Sequence, residues 1–174
     1  MSETKNYEVL LDATRNAFQA LFKEHPEHYY YCTLIMSECA TPFIAAFSEE
    51  ALQQAVDAND GNYSAEELKW SYADSPYCAY GYEEYFTELE QVFNGQMDAI
   101  DNDDEYDAAI EDWMDMMERV MKQLDEEKLF GEGAVREAMI INAEYMPPED
   151  SNAERAERLN ARAAYQEWYA ENFA

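Results

Sequence analysis

The sequence predicts a single α+β domain over residues 1–174, in which a small, mostly antiparallel sheet packs against several helices. Three observations predict it. Only one long stretch, EHYYYCTLIMSECATPFIAAFS from Glu27 to Ser48, is dense in β-branched and aromatic residues, the composition that favours strands. Most of the remaining chain repeats its apolar residues at helical spacing. A further strand-like run, EAMIINAEY, lies far downstream at residues 137–145. The expected order is therefore α, β, β, α, loop, α, α, β, α, which suits helices packed on a small sheet.

In chain order, a first helix is expected over residues 2–23, with Tyr7, Leu10, Leu11, Thr14, Phe18, Leu21 and Phe22 on one stripe. Pro26 bars its continuation. Two strands follow at residues 29–36 and 42–47, joined by a polar turn at Ser37, Glu38 and Cys39. In the first, Tyr29, Tyr31, Thr33 and Ile35 alternate with Tyr30, Cys32, Leu34 and Met36. Both faces are largely apolar, so this strand is expected to be central and covered on both sides.

Ser48 is placed to cap a helix over residues 49–58, with Glu49 and Glu50 favourable to its dipole. Asn59-Asp60-Gly61-Asn62 reads as a turn. Ser64 and Glu67 form a capping-box pattern that opens a short helix to Trp70. Residues 71–81, rich in tyrosine and broken by Pro76 and Gly81, read as an ordered loop.

Helical spacing returns over residues 82–97, where Asn94-Gly95 marks an early stop. The longest helix is expected over residues 104–128. Tyr106, Ile110, Trp113, Met117, Val120, Met121 and Leu124 form its apolar face, and Met116 falls off that face toward solvent. Gly131 and Gly133 supply its stop. After the third strand, Pro147-Pro148 is a rigid connection. Ser151 and Glu154 then open a last helix to residue 171.

Composition narrows the function classes. The chain has 174 residues, 48% hydrophobic and 14% aromatic, enough to bury a core. Its 39 acidic residues against 11 Lys and Arg give a formal net charge of −28. Such a chain repels nucleic acid, because phosphate binding needs Lys and Arg to displace counterions. It suits a basic partner or high solubility. The cysteines Cys32, Cys39 and Cys78 are odd in number and widely spaced, so no disulfide framework is expected. The N-terminal MSETKNYE does not read as a signal peptide, and no apolar run approaches ~18 residues. The expectation is a cytoplasmic protein with reduced thiols, no membrane segment and no cofactor.

Each kind of site chemistry requires its own motif. Asp101, Asp103, Glu105, Asp107 and Asp112 occupy positions of a calcium loop, but Tyr106 stands where the sharp turn needs glycine. The stretch is expected to be helical instead. His25 and His28 flank a proline, which is not the helical spacing that aims two imidazoles at one metal. With no phosphate-binding glycine loop and no nucleophile elbow, no catalytic residue is assigned. Two groups remain as partner-binding candidates. One is an acidic face made of Asp101, Asp103, Asp104, Glu105, Asp107, Glu111, Asp112, Asp115 and Glu118, able to steer a basic partner. The other is a set of aromatic anchors, Trp70, Tyr72, Tyr77 and Tyr80.

Three segments together carry a family resemblance: HPEHYYYCTLIMSECATPFIAAFSEEAL from His25, LKWSYADSPYCAYG from Leu68, and LFGEGAVREAMIINAEYMPPEDSNAERAERLN from Leu129. Their order and spacing resemble a bacterial family of small proteins, domain of unknown function four-three-zero-three. The family pattern favours Arg before Trp and a second Trp downstream, where this chain has Lys69-Trp70 and no close second Trp. The family has no established catalytic motif, so the resemblance implies no active-site residue. Its members are similar in size to immunity proteins of bacterial competition systems. The resemblance therefore implies a non-enzymatic protein that neutralises a cognate toxin by occluding its active site, through a partner with a basic surface. Two other readings stay open. One is a housekeeping or regulatory domain whose acidity reflects a saline habitat. The other is a DNA-mimic inhibitor of a nucleic-acid-binding protein.

Overall fold

Helix α1 spans Glu3–Glu24 and buries Leu10, Leu11, Thr14, Phe18 and Leu21 along one stripe. This is the first element of a computed structural model that describes residues 3–37, 40–60, 62–78 and 81–173. Strands β1 (Tyr29–Ser37) and β2 (Ala40–Ser48) follow. The turn expected at Ser37, Glu38 and Cys39 lies outside the described residues at Glu38 and Cys39. Ser48 ends β2 and caps α2 (Glu49–Ala58), accepting from the Ala51 N–H at 2.9 Å. The turn expected after it falls outside the described residues at Gly61. Ser64 and Glu67 form a reciprocal capping box on α3 (Ala65–Leu68).

Beyond the loop, a 3-10 turn at Glu83–Phe86 leads into α4 (Thr87–Met97). Asn94-Gly95 does not stop α4, because Leu89, Val92, Phe93 and Met97 hold it to the core across that point. Helix α5 (Asp103–Glu126) is capped by Asn102, whose side chain accepts from the Glu105 N–H at 2.9 Å. Met116, expected in solvent, is 4% exposed. The buried stripe of α5 is wider than its strict apolar repeat and takes in Ala109, Met114 and Met116 as well.

The stop of α5 precedes both glycines. Lys128 takes the left-handed conformation (φ 65°). The Leu129 N–H then reaches Leu124 O at 3.0 Å, and the Lys128 N–H reaches Asp125 O at 2.8 Å. This is a Schellman closure with lysine in the position that glycine usually fills. Helix α6 (Gly133–Ala138) takes the first two residues of the expected third strand, so β3 covers only Ile140–Met146. The final helix is two. Helix α7 runs Asp150–Leu159 and α8 runs Arg162–Phe173. Glu149 precedes α7, and Ser151 lies inside it, so the expected capping box is not formed.

The sheet has the order β2-β1-β3. β1 is central, antiparallel to β2 and parallel to β3, so the sheet is mixed. The long excursion through α2 to α6 lets β3 enter in either direction, and it enters parallel. Cys32 to Met36 of β1 are fully buried. Helix α5 packs on β3 and β1, α1 crosses α5 and β2, and α7 lies along β3. One face of the sheet also buries polar groups. The Tyr31 hydroxyl donates to Glu144, and Asn142 Nδ2 donates to the same carboxylate at 3.3 Å. Burial pushes the Glu144 carboxyl up, and those hydrogen bonds pull against the shift.

The outer edge of β3 is closed by side chains of α7 and the residue after it. The Tyr145 N–H donates to Asn152 Oδ1 at 2.8 Å, and Asn152 Nδ2 donates to Tyr145 O at 3.0 Å. Two residues back, Arg155 Nε donates to Ala143 O at 2.7 Å. A further two back, the Ile141 N–H donates to Asn160 Oδ1 at 2.9 Å, and Asn160 Nδ2 donates to Ile141 O at 2.7 Å. An amide side chain carries one donor group and one acceptor, which is what a neighbouring strand would offer at each of these residues.

Asn152→Ala would strand the buried N–H and C=O of Tyr145. We expect it to lower unfolding free energy by about 2–6 kcal/mol, since each of the two unpaired buried groups costs roughly 1–3 kcal/mol. Asn152→Asp keeps the acceptor and should fall between the two. Urea denaturation of the three proteins measures the order.

Candidate functional site

α5 is amphipathic because its apolar residues recur on one side and its carboxylates fill the other. Asp101 and Asp103, Asp104, Glu105, Asp107, Glu111, Asp112 and Asp115 are all exposed. The first turn of a helix favours negative charge, so Asp103, Asp104 and Glu105 sit where the backbone dipole tolerates them best. From Asp103 onward the residues form regular helix. The carboxylates thus fan out around an axis and do not wrap a common centre. Among the described residues, no group of three or more His, Cys, Asp or Glu is placed to hold a metal ion.

Two clefts flank this ridge. On the α7 side, a cleft of about 750 Å³ is lined by Asp103, Asp107, Glu111 and Asp115 from α5 and by Glu149, Glu154, Arg155 and Arg158. On the α1 and α4 side, a cleft of about 680 Å³ is lined by Asp112 and Asp115 together with Glu3, Gln91, Gln96 and Arg119. Asp115 borders both.

Three arginines near the ridge are committed. Arg158 holds Glu118 with two bonds, of 2.7 and 2.8 Å. Arg119 is bonded to Glu3 at 3.0 Å and lies over the Tyr7 ring. Arg155 is turned inward onto Ala143 O and Asn152. Of the nine acidic-face residues, Glu118 alone is in an ion pair among the described residues, and it is half-buried. The remaining eight carboxylates face solvent.

The aromatic group is tied to the core edge. Tyr77 is 6% exposed and donates its hydroxyl to Glu27 Oε1 at 2.8 Å. Burial and the Glu27 carboxylate push its phenol up. Trp70 is half-buried. Its ring meets Tyr30 and Tyr31 edge-on at 5.3 and 5.7 Å, and its Nε1–H donates to Glu171 at 2.8 Å. Lys69 bonds the same carboxylate and stands over the Trp70 ring at 4.8 Å. Tyr72 is half-buried, and burial raises its phenol to about 12. Tyr80 lies outside the described residues. Trp70, Tyr72 and Tyr77 therefore line the edge of the core, where an amphipathic ring can bury its body and still bond its polar tip. Tyr77 is buried, whereas Trp70 and Tyr72 each keep part of their surface exposed.

The His25 to His28 turn forms no joint site. His25 packs its ring on Tyr77 at 4.8 Å. Cys32 is buried in the sheet. His28 pairs instead with Glu50, a partner with no sequence signal because it lies across the β1–β2 hairpin. Its Nδ1 is 2.6 Å from Glu50 Oε1, and its backbone N–H donates to Glu50 Oε2 at 3.0 Å. His28 also lines an apolar cleft of about 360 Å³, together with Phe22, Tyr29, Tyr30, Phe130 and Met139.

Residues 10–161 match the family described as Domain of unknown function (DUF4303), and the chain belongs to that family. No curated protein and no solved structure matches it.

The His28–Glu50 pair yields a titration test. The hydrogen bond to Glu50 raises His28 above its ordinary 6.5, and the same bond lowers Glu50 to about 2. Because the folded value of His28 is raised and that of Glu50 lowered, any stability from the pair is full between about pH 4.5 and 6.5, and is lost as pH rises through the folded His28 value or falls through the folded Glu50 value of about 2. By NMR, His28 is expected to titrate above 6.5, and Glu50→Gln to bring it down. An unchanged His28 in that variant would remove Glu50 as the cause.

Proposed function

We propose that this DUF4303 member is a non-enzymatic binding protein of the bacterial cytoplasm, of immunity type, that neutralises a cognate toxin by covering a basic active-site cleft. One observation carries the reading. The eight carboxylates of the α5 ridge are exposed and lack ion-pair partners among the described residues, while the neighbouring arginines are bonded elsewhere. A helix face that served only solubility would be satisfied by mixed charge. A ridge of one sign, free of its own counter-ions, presents a field that attracts a basic surface and speeds encounter.

In this reading the ridge inserts between the walls of the partner's cleft. Lys and Arg that would hold the toxin's substrate bind Asp103, Asp104, Asp107, Glu111 and Asp112 instead. The helix is rigid and its carboxylates are already solvent-facing, so little ordering is needed on binding. Occlusion requires no chemistry from the bound protein.

The test has two stages. Captured partners are taken from lysate of the source organism at low salt and released at high salt. The gene of a basic, salt-released partner is then expressed in a host with and without this protein. Growth arrest relieved by co-expression is expected; a harmless partner would sink the immunity reading. For binding, replacing Asp103, Asp104, Asp107 and Asp112 with Asn is expected to cut the association rate by about tenfold or more at low salt, with a smaller change in dissociation. Equal association rates for the two proteins would remove the acidic ridge from the mechanism.

A further inference from the structure

The cleft between α5 and α7 is lined by a buried cation that lacks a counter-ion. Arg155 is 7% exposed and belongs to the lining. Its Nε donates to Ala143 O at 2.7 Å, and its Nη2 donates to Ser151 Oγ at 3.0 Å and to Asn152 Oδ1 at 2.7 Å. All three acceptors are neutral. Arg155 forms no ion pair among the described residues, and the neighbouring Glu118 and Glu154 are taken by Arg158. Buried charges are normally paired, so this one calls for a reason. The third nitrogen, Nη1, has no hydrogen-bond partner among the described residues. It is not sealed either, because the sealed polar atoms without a partner are Asn6 Oδ1 and Trp113 Nε1, among those residues. Nη1 therefore keeps two N–H donors for the cleft.

The opposite wall carries the opposite charge. Asp103, Asp107 and Glu111 of α5 line it. They recur at every fourth residue of a regular helix, so they stand in a row roughly 12 Å long. All three are exposed, and none is in an ion pair among the described residues. A simple anion would satisfy Arg155 but be repelled by the row. A simple cation would satisfy the row but be repelled by Arg155 and leave it unpaired. Only a ligand that carries both charges, set apart, answers both walls.

We infer that this cleft binds a basic α-amino acid, with its carboxylate on Arg155 Nη1 and its side-chain cation on the Asp103, Asp107 and Glu111 row. A carboxylate supplies the counter-ion that Arg155 lacks, through a charge-assisted hydrogen bond. The long side chain of lysine or arginine carries its cation away from that carboxylate and toward α5. The net positive charge of such a ligand suits a wall with more acids than bases. The volume of about 750 Å³ is in the range of small-molecule sites. Tyr106, Ile110 and Met114 also line the cleft and give the aliphatic stem apolar surface to cover. The same chemistry has two sources, the free amino acid and a basic residue at the carboxyl end of a peptide.

The test titrates the whole ¹⁵N-labelled protein at low salt and follows the Arg155 Nε–H signal and the α7 amides by NMR. With L-lysine these signals are expected to move and saturate. L-lysinamide, which lacks the carboxylate, and L-norleucine, which lacks the side-chain cation, are each expected to bind at least about tenfold more weakly. A surface that only gathers cations would prefer L-lysinamide, whose net charge is higher, and that order overturns the inference. Stationary signals with L-lysine overturn it too. Nα-acetyl-L-lysine separates the sources: binding as tight as that of L-lysine assigns the site to a peptide terminus, and weaker binding assigns it to the free amino acid. Asp107→Asn with Glu111→Gln changes two exposed residues and is expected to weaken L-lysine about tenfold. Glu88→Gln with Glu90→Gln on α4 removes the same charge elsewhere on the surface and is expected to leave binding within about twofold. Equal loss in the two variants would replace a site with a diffuse field. The inference stands apart from the proposed function: a captured toxin with a silent cleft retains that reading alone, and a saturable cleft with no captured toxin retains this one alone.

Discussion

The outer edge of β3 needs hydrogen-bond partners, and the positions of the C-terminal elements follow from how it gets them. A three-stranded sheet with a parallel edge strand would otherwise expose a row of unpaired backbone groups, a template for unwanted pairing. Asn152, Arg155 and Asn160 supply the bonds at Tyr145, Ala143 and Ile141. Alternate residues of a strand point their backbone groups to the same side, and a helix beside it can reach them only from a fixed distance and angle. These bonds therefore set α7 in place. Once α7 is set, Arg158 can grip Glu118, and the space between α5 and α7 becomes a cleft with a defined shape.

The elements legible in the sequence are those whose physics is local. Ser48 and Ser64 cap their helices with side-chain bonds that span three residues. The stripes of α1 and α5 follow from spacing alone. β1 declared itself central by being apolar on both faces. The misreadings arose where a distant partner decides. The last helix breaks after Leu159 because the Asn160 side chain is drawn to Ile141, 19 residues earlier. Lys128, and not a glycine, closes α5. The site divides in the same way. That the ridge is acidic was plain in the sequence, since exposure of charge is a local expectation. That its arginine neighbours are bonded elsewhere, and that Trp113 Nε1–H and Asn6 Oδ1 lack partners among the described residues, depends on contacts between elements.

The distribution of counter-charge gives the molecule two electrically different ends. Around the C-terminal half of α5, Arg15 bonds Glu127, Arg136 bonds Asp125 and Lys128 bonds Glu132. The N-terminal half lacks such pairs among the described residues; the first along the helix, Glu118 with Arg158 and Arg119 with Glu3, come just past its midpoint. The helix dipole makes this division physically consistent. Its N-terminus accepts unpaired carboxylates with least cost, and its C-terminus is where cations help most. A charge of −28 repels itself in any compact state. Placing its densest run on the first turns of a long helix limits that cost while keeping the charge available.

The closure of β3 by residues that follow it in the chain bears on how the protein is made. A nascent chain extended to Met146 carries all three strands, yet Asn152, Arg155 and Asn160 are still to come. Until they emerge from the ribosome, the parallel edge is unsealed, and synthesis at roughly 5–20 residues per second leaves that interval open for about a second. A further length must also clear the exit tunnel. During this window the high negative charge acts as a safeguard of another kind, because like-charged neighbouring chains on a polysome repel each other and resist pairing edge to edge.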